Sequence, residues 1–335
     1  MYGPGEQKGV TTTGEVVTVP SAYDGLNLEV LITLPSEGET VKGIFQISHG
    51  MCEHKERYLD FMEFMSQRGF ACVIHDHRGH GHSVREEKDL GYMYGGGEEA
   101  MLADLHQITA FARERWPGLP VILFGHSMGS LAARCYAKRW DDELKMLIVC
   151  GSPSKNPGTA FGRILAKMEK ASHGDRHISK RIEGLSFGPY VRRFAAEKST
   201  FSWICSSAAV VEAYEQDPGC GFTFTVDGYL TLFDLMDDTY RLKGWQCKCP
   251  ELPVLFIGGA EDPCIVNPRK FKQALETMRM AGYRNVRGKL YPGLRHEILN
   301  EECRYSPIVT SSTSAFSVST IVKLSIGRCV KFKIL

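Results

Sequence analysis

The sequence predicts an α/β fold: a mostly parallel central sheet with helices on both faces and an inserted helical cap. Three observations carry this. Short apolar runs recur through residues 1–153, each flanked by Gly, Pro or charge, as buried parallel strands are. Amphipathic stretches of helical spacing separate them, and alternating strands and helices argue a parallel sheet. The rhythm breaks between residues 154 and 246, then resumes.

Glu15–Pro20 and Leu26–Leu34 read as a β-pair around the turn Tyr23-Asp24-Gly25. Four apolar runs follow: Gly43–Ser48, Ala71–His75, Val121–Phe124 and Met146–Cys150. Between them, Arg57–Gly69 carries Tyr58, Phe61, Met62 and Met65 at roughly helical spacing. Glu98–Trp116 carries Leu102, Leu105, Ile108 and Phe111, and Leu131–Trp140 is a third such stretch. Residues 154–246 hold helical patterns and aromatic residues without a clear buried strand. Val254–Gly258, a helix near Arg269–Ala281 and a strand near Val286–Tyr291 resume the series. The expected division is a core of 1–153 and 247–302, a cap of 154–246, and an atypical tail of 303–335. The tail has no acidic residue, five basic ones, ten Ser or Thr, and no helical periodicity.

The 335 residues, 43% hydrophobic and 24% charged, suffice for a sizeable core, which excludes disorder and coiled coil as descriptions of the whole. A net charge of +1 argues against a nucleic-acid binder. That near-neutrality is a sum, because residues 1–302 without the basic tail carry −4. No apolar run approaches the roughly 20 residues that span a bilayer. The N-terminus lacks the apolar stretch of a signal peptide. A cytoplasmic protein is the expectation, with peripheral membrane contact through the cap as its variant. The 11 cysteines then read as small buried hydrophobes, and Cys247-Lys248-Cys249 has the wrong spacing for a zinc knuckle.

The chemistry centres on Gly125-His126-Ser127-Met128-Gly129, directly after the VILF run and before a helical pattern. This is the strand–turn–helix setting of a nucleophile elbow, with flanking glycines leaving room for close chain packing. Ser127 would stand at the carboxyl edge of the sheet, beside helix amides pointing at developing negative charge. A serine hydroxyl needs a base. In this arrangement an acid and then a histidine follow the serine in the chain. His296 is the only histidine downstream of residue 177, and it follows the last expected strand. Asp262, after Val254–Gly258 and just before Pro263, is preferred to Glu261 as the acid. The loop Ser48–His54 should supply an oxyanion donor, the N–H of Met51, to join that of Met128. His49 and Glu53 are read as scaffolding of that loop.

A rival reading starts from the histidines, eight of whose eleven lie between residues 49 and 126. His75-Asp76-His77-Arg78-Gly79-His80 loosely fits the H-x-H-x-D-H metal signature, but Gly79 stands where that signature has Asp. No metal or cofactor is expected.

These residues resemble the monoacylglycerol lipase and lysophospholipase group of α/β hydrolases. The matching segments are HGMCEHKERY (49–58), DHRGHGHS (76–83), GHSMGS (125–130), GGAEDP (258–263) and YPGLRHEILNE (291–301). The resemblance implies a Ser127–Asp262–His296 triad, Met51 and Met128 as oxyanion donors, and a cap after the sixth core strand. It also implies a lipid ester substrate, such as a monoacylglycerol or lysophospholipid, and no cofactor. Alternatives are another carboxylesterase, thioesterase, aminopeptidase or acyltransferase, or a non-enzymatic binding module. Met51-Cys52 replaces smaller residues often found in this loop, so a narrower oxyanion mouth is expected. The tail does not read as the terminal helix usual in the group.

Within the cap, Phe161, Ile164, Leu165 and Met168 fall at i, i+3, i+4 and i+7, with Arg163, Lys167 and Lys170 off that stripe. Such a helix either lies in a membrane interface or packs on its own domain. Phe222, Phe224, Tyr229, Leu232, Phe233 and Leu235 could line an acyl pocket or form the cap core.

Overall fold

The computed structural model describes residues 14–301. The basic tail therefore lies outside the described residues.

Eight strands form one sheet: β1 (Glu15–Pro20), β2 (Asn27–Thr33), β3 (Gly43–Ser48), β4 (Phe70–His75), β5 (Val121–His126), β6 (Met146–Cys150), β7 (Val254–Gly259) and β8 (Val286–Tyr291). Their spatial order is β1-β2-β4-β3-β5-β6-β7-β8. The pairs β1/β2 and β2/β4 are antiparallel, and every later pairing is parallel. The helices are α1 (Leu59–Ser66), α2 (Gly97–Arg115), α3 (Met128–Trp140), α4 (Thr159–His173), α5 (Lys180–Arg193), α6 (Ala208–Gln216), α7 (Val226–Tyr240) and α8 (Pro268–Met280).

Two-residue alternation along the strands splits the core into two layers. In β5, Val121 and Leu123 belong to the layer that also holds the buried faces of α2, α3 and α8, while Ile122 and Phe124 belong to that of Phe61, Met62 and Met65 of α1. In β7, Val254 and Phe256 join the first layer, and Leu255 and Ile257 the second. Strands buried on both faces read as continuous apolar runs, which is why they stood out in the sequence.

Four helices, α4 to α7, lie between β6 and β7. They do not form a uniform layer. Helix α7 packs on α2 and α3 as well as on α4, and so adds to the covering of the sheet. Helix α4 has its predicted stripe turned largely outward. Phe161, Ile164 and Met168 are 62%, 59% and 63% exposed, while Ala166 is buried. The basic side chains meet the partner helix: Arg163 pairs with Asp234 and Asp237, and Lys170 with Asp227, all on α7.

Candidate active site

Ser127 follows β5 and immediately precedes α3, with φ 52° and ψ −120°. A left-handed φ at a non-glycine residue is strained, and such strain concentrates at functional positions. The tight turn depends on its glycines. A Cβ on Gly129 would lie 2.1 Å from the Ser48 carbonyl oxygen, and one on Gly125 2.4 Å from that of Gly129. The Ser127 N–H donates to the Cys150 carbonyl (3.0 Å), tying the elbow to β6. As the first residue of α3, Met128 carries one of the amides that a helix leaves without an internal acceptor.

Asp262 follows β7 and His296 follows β8, so adjacent strand ends bring them together. The Asp262 Oδ2 to His296 Nδ1 distance is 2.9 Å, and both side chains are buried. Asp262 Oδ1 accepts from the Cys264 N–H at 2.8 Å, which fixes the carboxylate. Glu261, the alternative acid, is exposed. The His296 ring lies between those of His126 and Trp203, with centroids at 4.8 and 5.1 Å. Burial opposes its charged form, but the Asp262 carboxylate outweighs this and holds its pKa above the ordinary imidazole value.

Ser127, His296, Met51 and Met128 all line one cavity of about 830 Å³. Its walls are largely apolar and come from the inserted helices and their connections: Leu165, Phe187, Tyr190, Trp203, Leu232 and Phe233 among others. Of the aromatic stretch singled out in the sequence, Phe222, Tyr229, Leu232 and Phe233 line the cavity. Phe224 and Leu235 are fully buried in the core. That stretch thus does both jobs.

The loop carrying Met51 is held from below. Glu53 Oε1 accepts from the Gly50 N–H (2.5 Å) and the Tyr58 hydroxyl (2.9 Å). The His49 ring bonds the Gly50 carbonyl through Nδ1 (2.8 Å) and the His77 N–H through Nε2 (2.9 Å). Scaffolding is therefore the geometry these two residues have. Sequence reasoning missed the rest of the network. Arg57 bridges Glu53 and Glu297, and His126 lies 2.9 Å from the Tyr58 hydroxyl and 3.3 Å from the His296 carbonyl oxygen. The one available signal was two acids and an arginine inside the segments that flank the candidate serine and histidine.

The histidine-rich segment is buried in the core. Asp76 accepts from the buried Lys55 ammonium at 2.8 Å, and the rings of His75 and His77 stack edge-to-face at 4.8 Å. Burial pushes His75 down to about 3 and His80 to about 3. These are neutral packed rings, and their nitrogens do not converge on a common point among the described residues.

Comparison with known proteins agrees with this architecture. The family model described as "Serine aminopeptidase, S33" matches residues 39–303. A monoacylglycerol lipase of Mycolicibacterium smegmatis is 26% identical over 78% of this chain and 83% of its own length. The human monoglyceride lipase is 27% identical over 82% of this chain and 80% of its own. A thermostable carboxyl esterase from Bacillus coagulans, solved in complex with glycerol, superposes with a TM-score of 0.78 at 26% identity. That match covers 87% of this chain and 93% of the esterase. The chain belongs to the serine aminopeptidase S33 family and, within the α/β hydrolases, to the monoacylglycerol lipase group.

Proposed function

We propose that this protein is a serine hydrolase that cleaves a single acyl ester of a lipid, such as a monoacylglycerol or lysophospholipid, through an acyl-enzyme on Ser127. The observation that supports the reading is that Ser127 and His296 line one largely apolar cavity, with Asp262 Oδ2 2.9 Å from His296 Nδ1 behind it. At about 830 Å³ it lies in the upper part of the roughly 300–1,000 Å³ usual for small-molecule sites. An acyl chain occupies the apolar walls while its ester carbonyl rests over Ser127.

His296 takes the Ser127 proton as Oγ bonds to the carbonyl carbon, and Asp262 stabilises the imidazolium that forms. The N–H groups of Met51 and Met128 donate to the oxyanion. Collapse of the tetrahedral species breaks the ester C–O bond, and His296 gives its proton to the departing alcohol. Water, deprotonated by His296, then releases the fatty acid and restores Ser127. The test is Ser127→Ala assayed on monoacylglycerol, lysophospholipid and peptide-amide substrates, with fluorophosphonate labelling of the parent. Ester turnover should fall by at least a thousandfold and labelling should vanish. Unchanged turnover, or a preference for the amide, overturns the proposal.

The outward stripe on α4 supports peripheral contact with a lipid surface as part of this function. Phe161 and Leu185 are exposed and also line the cavity, so the apolar rim and the mouth coincide. Arg163 and Lys170 are paired to α7, so docking rests chiefly on apolar burial, with the exposed Lys167, Lys180 and Arg192 secondary to it. Vesicle sedimentation should show binding to zwitterionic lipid that survives salt and is lost in Phe161→Ser/Ile164→Ser/Met168→Ser. Binding that needs anionic lipid, or that survives the triple substitution, refutes it. No helix among the described residues is long and apolar enough to cross a membrane.

A further inference from the structure

Away from the candidate triad, the loop that follows β3 meets the turn that follows α6. His54 stands three positions beyond Met51. Its Nε2 lies 2.7 Å from Asp217 Oδ2, and its Nδ1 lies 2.6 Å from Glu56 Oε2. Asp217 opens a tight turn in which the Gly219 N–H donates to Asp217 Oδ1 (2.8 Å) and the Cys220 N–H to the Asp217 carbonyl (3.0 Å). That turn closes against the imidazole: a Cβ on Gly219 would come within 2.9 Å of His54 Cδ2. The result is three potential ligand atoms, from His54, Asp217 and Cys220, all within 4.8 Å of one another. None of the three residues lines the large cavity.

We propose that His54 Nε2, Asp217 Oδ2 and Cys220 Sγ form a site for a divalent transition metal of the zinc class, bridging the Met51 loop and the inserted helices. An imidazole nitrogen, a thiolate and a carboxylate are the donors that borderline-soft ions select over Mg²⁺ or Ca²⁺. Zinc–nitrogen and zinc–sulfur bonds of roughly 2.0 and 2.3 Å set tetrahedral donors roughly 3.3–3.7 Å apart. The site thus needs movements of about 1 Å or less at the side-chain tips, with water filling the fourth position. Glu56 supplies an independent sign. Its carboxylate bonds the far ring nitrogen, the carboxylate–histidine–metal arrangement that fixes tautomer and ring orientation in metal sites. His54 and Asp217 side chains retain 15% and 33% exposure, so an ion can enter from solvent.

Binding exchanges protons for the ion: both ring nitrogens of His54 donate to carboxylates, so the Nε2 proton and the Cys220 proton leave to solvent as the metal bonds to Nε2 and Sγ. No oxidant or reductant is involved. The ion would pin the Met51 loop to the insertion at a second place. The two are already joined by the Gly221 N–H (3.1 Å) and the Tyr214 hydroxyl (2.8 Å), both donating to the Cys52 carbonyl. The binding claim stands apart from the esterase reading.

The test is titration of the full, reduced chain with Co²⁺, followed by its thiolate charge-transfer absorption and by competition with Zn²⁺. One equivalent should develop the band, and zinc should bleach it. Cys220→Ser should abolish the band, and Glu56→Gln should weaken affinity tenfold to a hundredfold. Cys264→Ser and Cys247→Ser/Cys249→Ser should leave it intact. If Cys220→Ser does not fold, Asp217→Asn should weaken the parent affinity at least tenfold. Absence of the band in the parent, its persistence in folded Cys220→Ser, or an unweakened Asp217→Asn overturns the proposal. So does its loss in Cys264→Ser, which would put the ion at Asp262, Cys264 and His296 instead.

Discussion

Replacing Arg57 by Met should destabilise the protein by about 3–5 kcal/mol, because it leaves two buried carboxylates without their cation. The guanidinium makes three short contacts: to Glu53 Oε2 at 2.6 Å, and to Glu297 Oε1 and Oε2 at 2.7 and 2.6 Å. The three side chains are only 11%, 4% and 6% exposed, so water does not replace what is lost. Counting each charge-assisted bond at about 1.5–3 kcal/mol would overshoot, since removing Arg57 also relieves its own desolvation. Met keeps the stem packed, which isolates the charge. Burial opposes the Glu53 charge, yet its bond to His126 and the Arg57 charge hold its carboxyl well below the usual range. Glu53 therefore contributes stability above that range in the parent. In the variant the burial of Glu53 is no longer offset by the Arg57 charge, so the penalty measured at about pH 8 should exceed that measured at about pH 5. Urea midpoints at the two pH values measure both effects, and Arg57→Met/Glu297→Gln should recover part of the loss. A loss below about 1 kcal/mol, as for an exposed pair, or one that does not shrink at the lower pH, refutes the reasoning.

Three further outcomes follow from the geometry. Gly129→Ala should abolish both probe labelling and ester turnover, since its Cβ would meet the Ser48 and His49 carbonyl oxygens at 2.1 and 2.4 Å; an active variant would show that the elbow can yield. Because His296 acts as a base only when neutral and its pKa is raised, kcat/KM should fall on acidification through a pKa above 6.5. Asp262→Asn should move that limb downward and slow turnover, and a limb that stays put would separate Asp262 from the base. Tyr229→Phe should raise stability by about 1 kcal/mol, read as Tm, because the Tyr229 hydroxyl is buried with no partner among the described residues. A fall in Tm would reveal a partner for that hydroxyl.

The parts of the site legible in the sequence are those encoded within a few consecutive residues. β5 and α3 are each declared by their own spacing, and Gly125, Ser127 and Gly129 lie between them. Strand order could then be reasoned forward to Asp262 and His296, each just beyond a strand end. The Arg57–Glu297 pair joins residues 240 positions apart, and no local pattern names either as the partner of the other. His126 is similar. It sits inside the motif, and its contact with Tyr58 exists only because β5 and the Met51 loop emerge at the same sheet edge.

Helix α4 marks a different limit. Its period was plain in the sequence, but period alone says which residues share a face, not where that face points. A helix whose apolar face were buried would leave Arg163 and Lys170 to solvent. Here α7 presents Asp227, Asp234 and Asp237 toward α4, where they pair with Arg163 and Lys170. Each exposed pair contributes little by itself, about 0–1 kcal/mol. The pairs therefore accompany the outward stripe and are too weak to offset by themselves the burial that Phe161, Ile164 and Met168 forgo. The acidic balance of residues 1–302 thus has a local expression: carboxylates of α7 neutralise α4. What they leave at the cavity mouth is an apolar stripe of Phe161, Ile164 and Met168, beside the exposed Lys180 and Arg192 of α5.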